Sequence, residues 1–581
     1  MDAPGSTQVV KTAFPNLPAL RGALLGVLLS GLLCSADLGL AQEPLRLSVI
    51  HINDTHSHLE PTRRTVRIDG NDTGVFLGGF PRLASALKDL RADGRTRLFL
   101  HAGDAVQGTL YFNAYRGEAD FRFLNLLGVE AMTLGNHEFD KGPDVLARML
   151  DVADFPILSA NIRFPGDSRL AKRVTPYAIK GYGADRVGIV GVTTRDTPVI
   201  SKPGPSVVFQ QALSAVRRAV RELEAKGVDK IIVLSHIGYD HDIQLARRVR
   251  GVDIVVGGHS HTLLGGAVLR DLGLEVGGDY PTVVRGPGGA KSLVVQAWKW
   301  GMVLGVLDVE FNRRGEIETH EARPLFIAGN DFIRSRKPVE AGSEEGRRIV
   351  RALTDRGAFG FFRDEEHAAS ILAPYRQGLE KLRKTEVATA LSDLRIGVNG
   401  GPGPLVADAM AWKTGSAIAL QNRGGVRAEL REGAITLGDV AEVLPFENVI
   451  VLLDVTAAEL RSALEEGIEF QMARRPSEPG LPYVSGMSYQ ANLAAPRGKR
   501  IVSMVRLRPD GTGVPFDPKG LYRIALNDFI ANGGDGHATF RQVTRFRRDT
   551  GLVDSDVFAE YLRHLGEVRE EGGKRIEVLA R

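Results

Sequence analysis

Five short loops in the first half of the chain carry side chains that bind hard or borderline cations. They read Asp54-Thr55-His56, Gly103-Asp104, Gly135-Asn136-His137-Glu138, Ser235-His236 and Gly257-Gly258-His259-Ser260-His261. Asp-x-His and His-x-His each put two side chains on one side of an extended segment, because strand side chains alternate. The candidate ligands are Asp54, His56, Asp104, Asn136, His236, His259 and His261. Two divalent metals sharing one carboxylate need about that many ligands, with positions left for water and substrate. Carboxylate, imidazole and amide donors suit zinc, manganese or iron rather than a thiolate metal. Alone, each loop is weak, since an isolated Asp-x-His is usually a loop accident and a lone His is usually solvated. Their conjunction, in order and each at the end of an expected strand, points to one dinuclear centre.

The elements that must position these loops follow from the apolar pattern. From Leu45 to about Glu318 the chain alternates β-branched runs (Leu45–Ile52, Leu98–Leu100, Val187–Val192, Ile231–Leu234, Ile254–Val256) with helical patterns (Pro81–Arg91, Val207–Lys226, Asp242–Arg250). Such alternation predicts α/β layers, and ligand sites in α/β folds collect at the carboxyl ends of strands. Residues 334–386 are charged and mostly helical in pattern, with His367–Lys384 as one long helix, and read as a linker or hinge. From about Val387 a second domain with its own core material begins. It has expected helices at Leu405–Trp412, from Thr436 and at Thr456–Gly467. Strands are expected at Ala417–Leu420, Asn448–Asp454, Ile501–Leu507 and Tyr522–Leu526. Thr436-x-x-Asp439 reads as a capping pair.

Composition bounds the function. The chain has 581 residues, 43% hydrophobic and 25% charged, which excludes a wholly disordered, collagen-like or polytopic membrane protein. A net charge of +4 on that length gives no case for a nucleic-acid polymer as partner. The single cysteine, Cys34, excludes an intramolecular disulfide and any multi-cysteine zinc site. Lys11 and Arg21 precede an apolar run from Ala23 to Leu33, and Gly39-Leu40-Ala41 forms a small-x-small site. Residues 1–41 therefore read as a signal peptide, and the protein as exported, periplasmic or extracellular. The run is well short of the roughly 20 residues of a spanning helix, so no transmembrane anchor is expected. The bulky Leu33 before Cys34 argues against lipid attachment.

Asn53-Asp54-Thr55-His56, Gly103-Asp104, Gly135-Asn136-His137-Glu138-Phe139-Asp140, Ser235-His236 and Gly258-His259-Ser260-His261 together resemble the calcineurin-type metallophosphoesterase signature. Within that superfamily the chain resembles the secreted 5′-nucleotidases and UDP-sugar hydrolases, from about Leu45 to about Thr550. The resemblance implies an N-terminal four-layer α/β/β/α sandwich over residues 42–333. It also implies a separate α+β C-terminal domain, residues 387–581, that binds the substrate. By it, Asp54, His56, Asp104 and His261 hold one metal. Asp104, Asn136, His236 and His259 hold the other. His137 is the catalytic histidine and Asp140 orients it, although Asp140 also reads as a helix cap before Lys141–Leu150. In-line attack on phosphorus by a water on the metals is the implied chemistry, and no Ser or Cys constellation suggests a covalent intermediate.

The second half carries Asn422-Arg423-Gly424-Gly425-Val426-Arg427, Leu444-Pro445-Phe446 and Asn527-Asp528-Phe529-Ile530-Ala531-Asn532-Gly533-Gly534-Asp535-Gly536. These resemble the family's nucleoside-binding segments. The resemblance implies that Phe446 and Phe529 stack on the base and Asp535 holds the ribose. Asn422 and Arg427 then reach the base and the phosphate side. From the residues alone, Phe446 could equally be core and Gly533–Gly536 a plain turn. Arg395, in a segment unusually rich in Gly and Pro, lies near the place where relatives carry a phosphate-contacting Arg. The expected substrate is a nucleoside 5′-monophosphate, with di- and triphosphates or UDP-sugars as further substrates. The same architecture serves 2′,3′-cyclic-nucleotide phosphodiesterases with 3′-nucleotidase activity and a sulfur-oxidation thiohydrolase. A non-catalytic nucleotide-binding surface protein is the alternative from another class.

Overall fold

The β-branched run at Leu45–Ile52 forms a strand with those bounds, inside an eleven-stranded mixed sheet. It pairs in parallel with Arg97–His101 and antiparallel with Val303–Phe311. A second sheet has the order Thr282–Arg285, Lys291–Gln296, Ile254–Gly257, Lys230–His236, Asp185–Thr193, Tyr177–Tyr182. The inner faces of the two sheets share one core, in which Val49, Leu98 and Leu100 meet Ile189, Ile232, Leu234 and Val256. Helices Phe80–Arg91, Glu118–Leu127 and Pro143–Val152 cover the outside of the first sheet. Ala212–Ala225 and Tyr239–Arg248 cover the outside of the second. The result is the expected α/β/β/α order of layers. Each fully buried aliphatic or aromatic side chain contributes about 1.5–3 kcal/mol to this packing.

The computed structural model describes residues 44–166, 168–335, 337–446, 448–474, 480–508, 510–570 and 575–580. The segment 1–41 read as a signal peptide lies outside the described residues. Among those described, no helix is long and apolar enough to cross a membrane.

The second half is built on a five-stranded sheet in the order Tyr483–Ser485, Ile418–Gln421, Leu521–Asn527, Val449–Thr456, Arg547–Val553. Helices Pro402–Thr414, Leu437–Val443 and Asp554–Leu565 pack on one face. Helix Ala457–Arg474 and the strand Met487–Asn492 of a smaller sheet pack on the other. Thr436 and Asp439 form a reciprocal capping box, so Asp serves where Glu or Gln is usual.

Two stretches depart from the pattern reading. Val207–Lys226 is not one helix: Val208–Phe209 pairs with Ile162–Arg163, and the helix starts at Ala212. Phe209 is buried and the Gln210 N–H donates to the Asn161 carbonyl, which holds the chain extended there. Within 334–386, helices Glu344–Thr354 and Glu366–Arg383 form as expected, but Lys337–Glu340 and Phe359–Phe361 add to the first sheet. Ala368, Leu372 and Leu379 enter the first core. The charged outer face of the long helix hides this buried stripe from a composition-based reading.

Candidate metal centre and substrate face

The candidate metal-ligand loops leave the two sheets at one edge. Asp54 and His56 follow the strand Leu45–Ile52, and Asp104 follows Arg97–His101. Asn136 follows Ala131–Thr133, His236 ends Lys230–His236, and His259 and His261 follow Ile254–Gly257. Asp54, His56 and His261 form one group and Asp104, His236 and His259 another, with the ligand atoms of each group within 4.8 Å of one another. Asp104 Oδ2 lies 2.9 Å from His236 Nε2 and 3.9 Å from His56 Nε2, so this carboxylate stands between the groups. Asn136 Oδ1 is buried without a hydrogen-bond partner.

These donors fit divalent cations. His56 Nε2 and His261 Nε2 face each other at 2.9 Å, and Asp54 Oδ1 is 3.5 Å from His261 Nε2. Burial opposes charge on every group here. It pushes His56 and His259 down to about 3, keeping both imidazoles neutral as ligands. His236 is lifted to about 9 against that burial by the Asp104 carboxylate, and His261 to about 9 by Asp549 and Asp54. Asp54, His56, Asp104, His259 and His261 also hold φ between 48° and 74°. For residues other than glycine such backbone costs about 1–3 kcal/mol each and clusters at functional sites.

The supports are specific. Glu138 accepts from the N–H groups of Asp104 (3.1 Å), Ala105 (2.7 Å) and Gly135 (2.6 Å), tying two ligand loops together. Asn53 Nδ2 donates to Asp54 Oδ2 (2.6 Å) and to the Trp298 carbonyl (2.7 Å). Gly135 is required by close approach, since a Cβ there would collide with the Asp104 carboxylate. His101 accepts from the Gly103 N–H through Nδ1 at 3.2 Å. His137 is fully buried, with Nδ1 2.6 Å from Asp140 Oδ2 and Nε2 without a hydrogen-bond partner. Burial works against the imidazolium, but Asp140 and Asp104 outweigh it and raise His137 to about 10. Asp140 does not cap the following helix, whose N-cap is Gly142; instead it accepts from Ser201 Oγ at 2.7 Å.

Five of the six substrate residues expected from the sequence, Asn422, Arg427, Phe446, Phe529 and Asp535, lie together on the second half. Asn422 is buried and donates from Nδ2 to Asp535 Oδ2 at 2.7 Å, while its Oδ1 accepts from Asn527 Nδ2 at 2.8 Å. Phe446 and Phe529 are 46% and 47% exposed, so neither is core. The Arg427 guanidinium lies 5.7 Å from the Phe446 ring centroid. Arg395 is apart from these, exposed and paired with Asp393 at 3.2 Å.

Contacts across the halves were not legible in the motifs. Lys299, between Trp298 and Trp300 of the loop that braces Asp54, pairs with Asp528 at 3.2 Å. Asp549 Oδ2 is 3.3 Å from His261 Nδ1, and Gly551 leaves no room for a side chain against His137 Nε2. A cleft of about 630 Å³ reaches Asp140 and is lined by Lys141, Lys202, Arg548 and Arg563 among others. The Glu138 support could have been found in Gly-Asn-His-Glu. Nothing local in the sequence marks Asp549 or Lys299.

Residues 47–263 match the family model described as calcineurin-like phosphoesterase, and residues 387–543 match that of the 5′-nucleotidase C-terminal domain. A probable 5′-nucleotidase of Treponema pallidum is 34% identical over 545 residues, covering 89% of this chain and 91% of that protein. The structure of the Haemophilus influenzae NAD nucleotidase matches with a TM-score of 0.80 at 28% identity, covering 93% and 100% of the two chains. A 5′-nucleotidase precursor from Thermus thermophilus is 41% identical yet has a TM-score of 0.57, with 92% and 99% covered. The chain belongs to the 5′-nucleotidase family of metallophosphoesterases and is a metal-dependent phosphoric monoester hydrolase.

Proposed function

We propose that this member of the 5′-nucleotidase family hydrolyses nucleoside 5′-monophosphates to nucleoside and phosphate, with nucleoside di- and triphosphates and UDP-sugars as further substrates. One observation carries the reading: a dinuclear ligand set and a pair of exposed aromatics lie on adjoining loops, joined by the Lys299–Asp528 ion pair. Asp54, His56, Asp104 and His261 would hold one metal, and Asp104, Asn136, His236 and His259 the other. When bound, the metals lower the pKa of the attacking water and neutralise charge on the phosphoryl oxygens.

The chain's own groups do the rest. His137, held as the imidazolium, donates its Nδ1–H to Asp140, which leaves Nε2–H to donate to the phosphoryl group or the leaving 5′-oxygen. Phe446 and Phe529 take the base between them, Asp535 and Asn422 bind the ribose hydroxyls and the base, and Arg427 steers the phosphate side. Arg395 is the weakest member of this set, because its guanidinium is already engaged by Asp393. Five Lys and Arg residues against Asp140, Asp556 and Glu560 leave the lining of this cleft net positive, which favours an anionic substrate.

His137 Nε2 abuts Gly551 in this arrangement, so phosphate reaches it only after the halves shift. The connection near Thr385, between helix Glu366–Arg383 and strand Glu386–Ala390, is the proposed pivot within the 334–386 segment. Matching better in shape to the less identical relative supports two bodies set at variable angles. The leader-like residues 1–41, and a relative described as a precursor, support export to the periplasm or beyond. Phosphate release should be measured from AMP, 3′-AMP, 2′,3′-cyclic AMP and UDP-glucose side by side. AMP is expected to be turned over fastest. Activity confined to the cyclic and 3′ substrates would move the protein to that neighbouring activity.

A further inference from the structure

The histidines of the metal centre are not braced alike. His56 Nδ1 lies 3.0 Å from the Gln107 carbonyl, and His236 Nδ1 lies 2.7 Å from the Ala102 carbonyl. Both supports are neutral and belong to the first half. His261 differs: its Nδ1 faces the Asp549 carboxylate at 3.3 Å. Asp549 comes from strand Arg547–Val553 of the second half, where its Oδ1 accepts from the Gly551 N–H at 2.9 Å. His261 Nε2 meanwhile points at Asp54 and His56, into the first ligand group.

We infer that Asp549 is a positioning residue, a carboxylate lent by the second half that orients His261 toward the metal of the Asp54–His56–His261 group. The inference rests on the dinuclear reading above. A carboxylate behind a ligand imidazole fixes the ring and makes its other nitrogen a stronger donor, which typically changes metal affinity by about 10–100-fold. The brace lasts only while the second half is docked as seen here. One metal site therefore responds to the orientation of the halves, and by linkage that metal favours the docked orientation. The Asp104–His236–His259 group feels Asp549 only through its longer-range charge on His259, with no close contact to it among the described residues, and responds much less.

The test is site-resolved metal affinity of the full chain, by competition of Zn²⁺ and of Mn²⁺ against a chromophoric chelator. Asp549→Asn and Asp549→Ser are made in parallel, each also in an His261→Gln background. Glutamine has no second ring nitrogen for Asp549 to brace. The expected result is that one of two dissociation constants rises about 10–100-fold and the other stays within about 2-fold. In the His261→Gln background the same substitutions should add less than about 2-fold. Two unchanged constants, two constants weakened equally, or an undiminished effect in the His261→Gln background would each overturn the inference alone. A parent protein that binds fewer than two metals overturns the dinuclear reading and this inference with it.

Discussion

The candidate metal-ligand loops of the first half and the loops proposed to bind the nucleoside in the second are built in opposite ways. Asp54, His56, Asp104, Asn136 and His236 are buried, several in strained backbone, and locked by Glu138 and Asn53. Phe446, Phe529 and Arg427 are exposed, whereas Asn422 is buried and hydrogen-bonded to Asp535 and Asn527. Water exclusion and fixed geometry strengthen electrostatics where charge develops, which suits phosphoryl transfer. An open aromatic face suits a flat base that must enter and leave. The difference implies that damage to the first region abolishes turnover of every substrate, whereas damage to the second is read only by substrates that carry a base.

Asp104→Asn is the strongest attempt to break this division. It removes the carboxylate between the two ligand groups. Turnover of both AMP and p-nitrophenyl phosphate should fall at least about 10³-fold, together with loss of bound metal measured by elemental analysis. Retained metal with retained turnover would remove Asp104 from the centre. Next in size, His137→Ala should lower kcat on both substrates about 10²–10⁴-fold while metal content stays at the parent level. A change in KM alone would argue against proton donation.

Phe529→Ala sharpens the comparison from the other side. Losing one stacking partner costs about 1–3 kcal/mol. KM for AMP should therefore rise about 5–150-fold, with p-nitrophenyl phosphate changed less than about 3-fold. Equal losses on both substrates would end the stacking role.

The smallest effect is one of stability. Asp242 is buried beneath the His236 loop and accepts from Ser235 at 2.5 Å, and burial pushes its carboxyl up to about 8. The folded state keeps this proton where the unfolded chain has lost it. Stability from this group is thus fully present below about pH 4 and is lost as pH rises toward about 8. In chelator, Asp242→Asn should melt at least about 2 °C above the parent at pH 8, with the gap closing toward pH 4. An equal gap at both pH values would mean that Asp242 does not titrate as described.

Much of the first region was legible because its chemistry is written in short motifs at strand ends. Asp-x-His, Gly-Asp, Gly-Asn-His and His-x-His name the proposed ligands, and alternating apolar runs bring them to one place. The sandwich order followed from the same alternation. The second region was legible only through resemblance, since a Phe after Leu-Pro carries no chemistry of its own. The pairings of Asp549 with His261 and of Lys299 with Asp528 join residues 288 and 229 positions apart. Such contacts depend on how two cores dock, which no local pattern encodes. The strand Val208–Phe209 was missed for a related reason: a tertiary backbone hydrogen bond from Gln210 overrides a helical pattern.

The most direct test of the central claim is AMP turnover followed through metal removal and return. Protein stripped by chelator and dialysed should lose essentially all phosphate release. Titration with Mn²⁺ or Zn²⁺ should restore it, reaching a plateau at two equivalents per chain. Turnover that survives stripping, or that is fully restored by a single equivalent, would contradict a dinuclear centre.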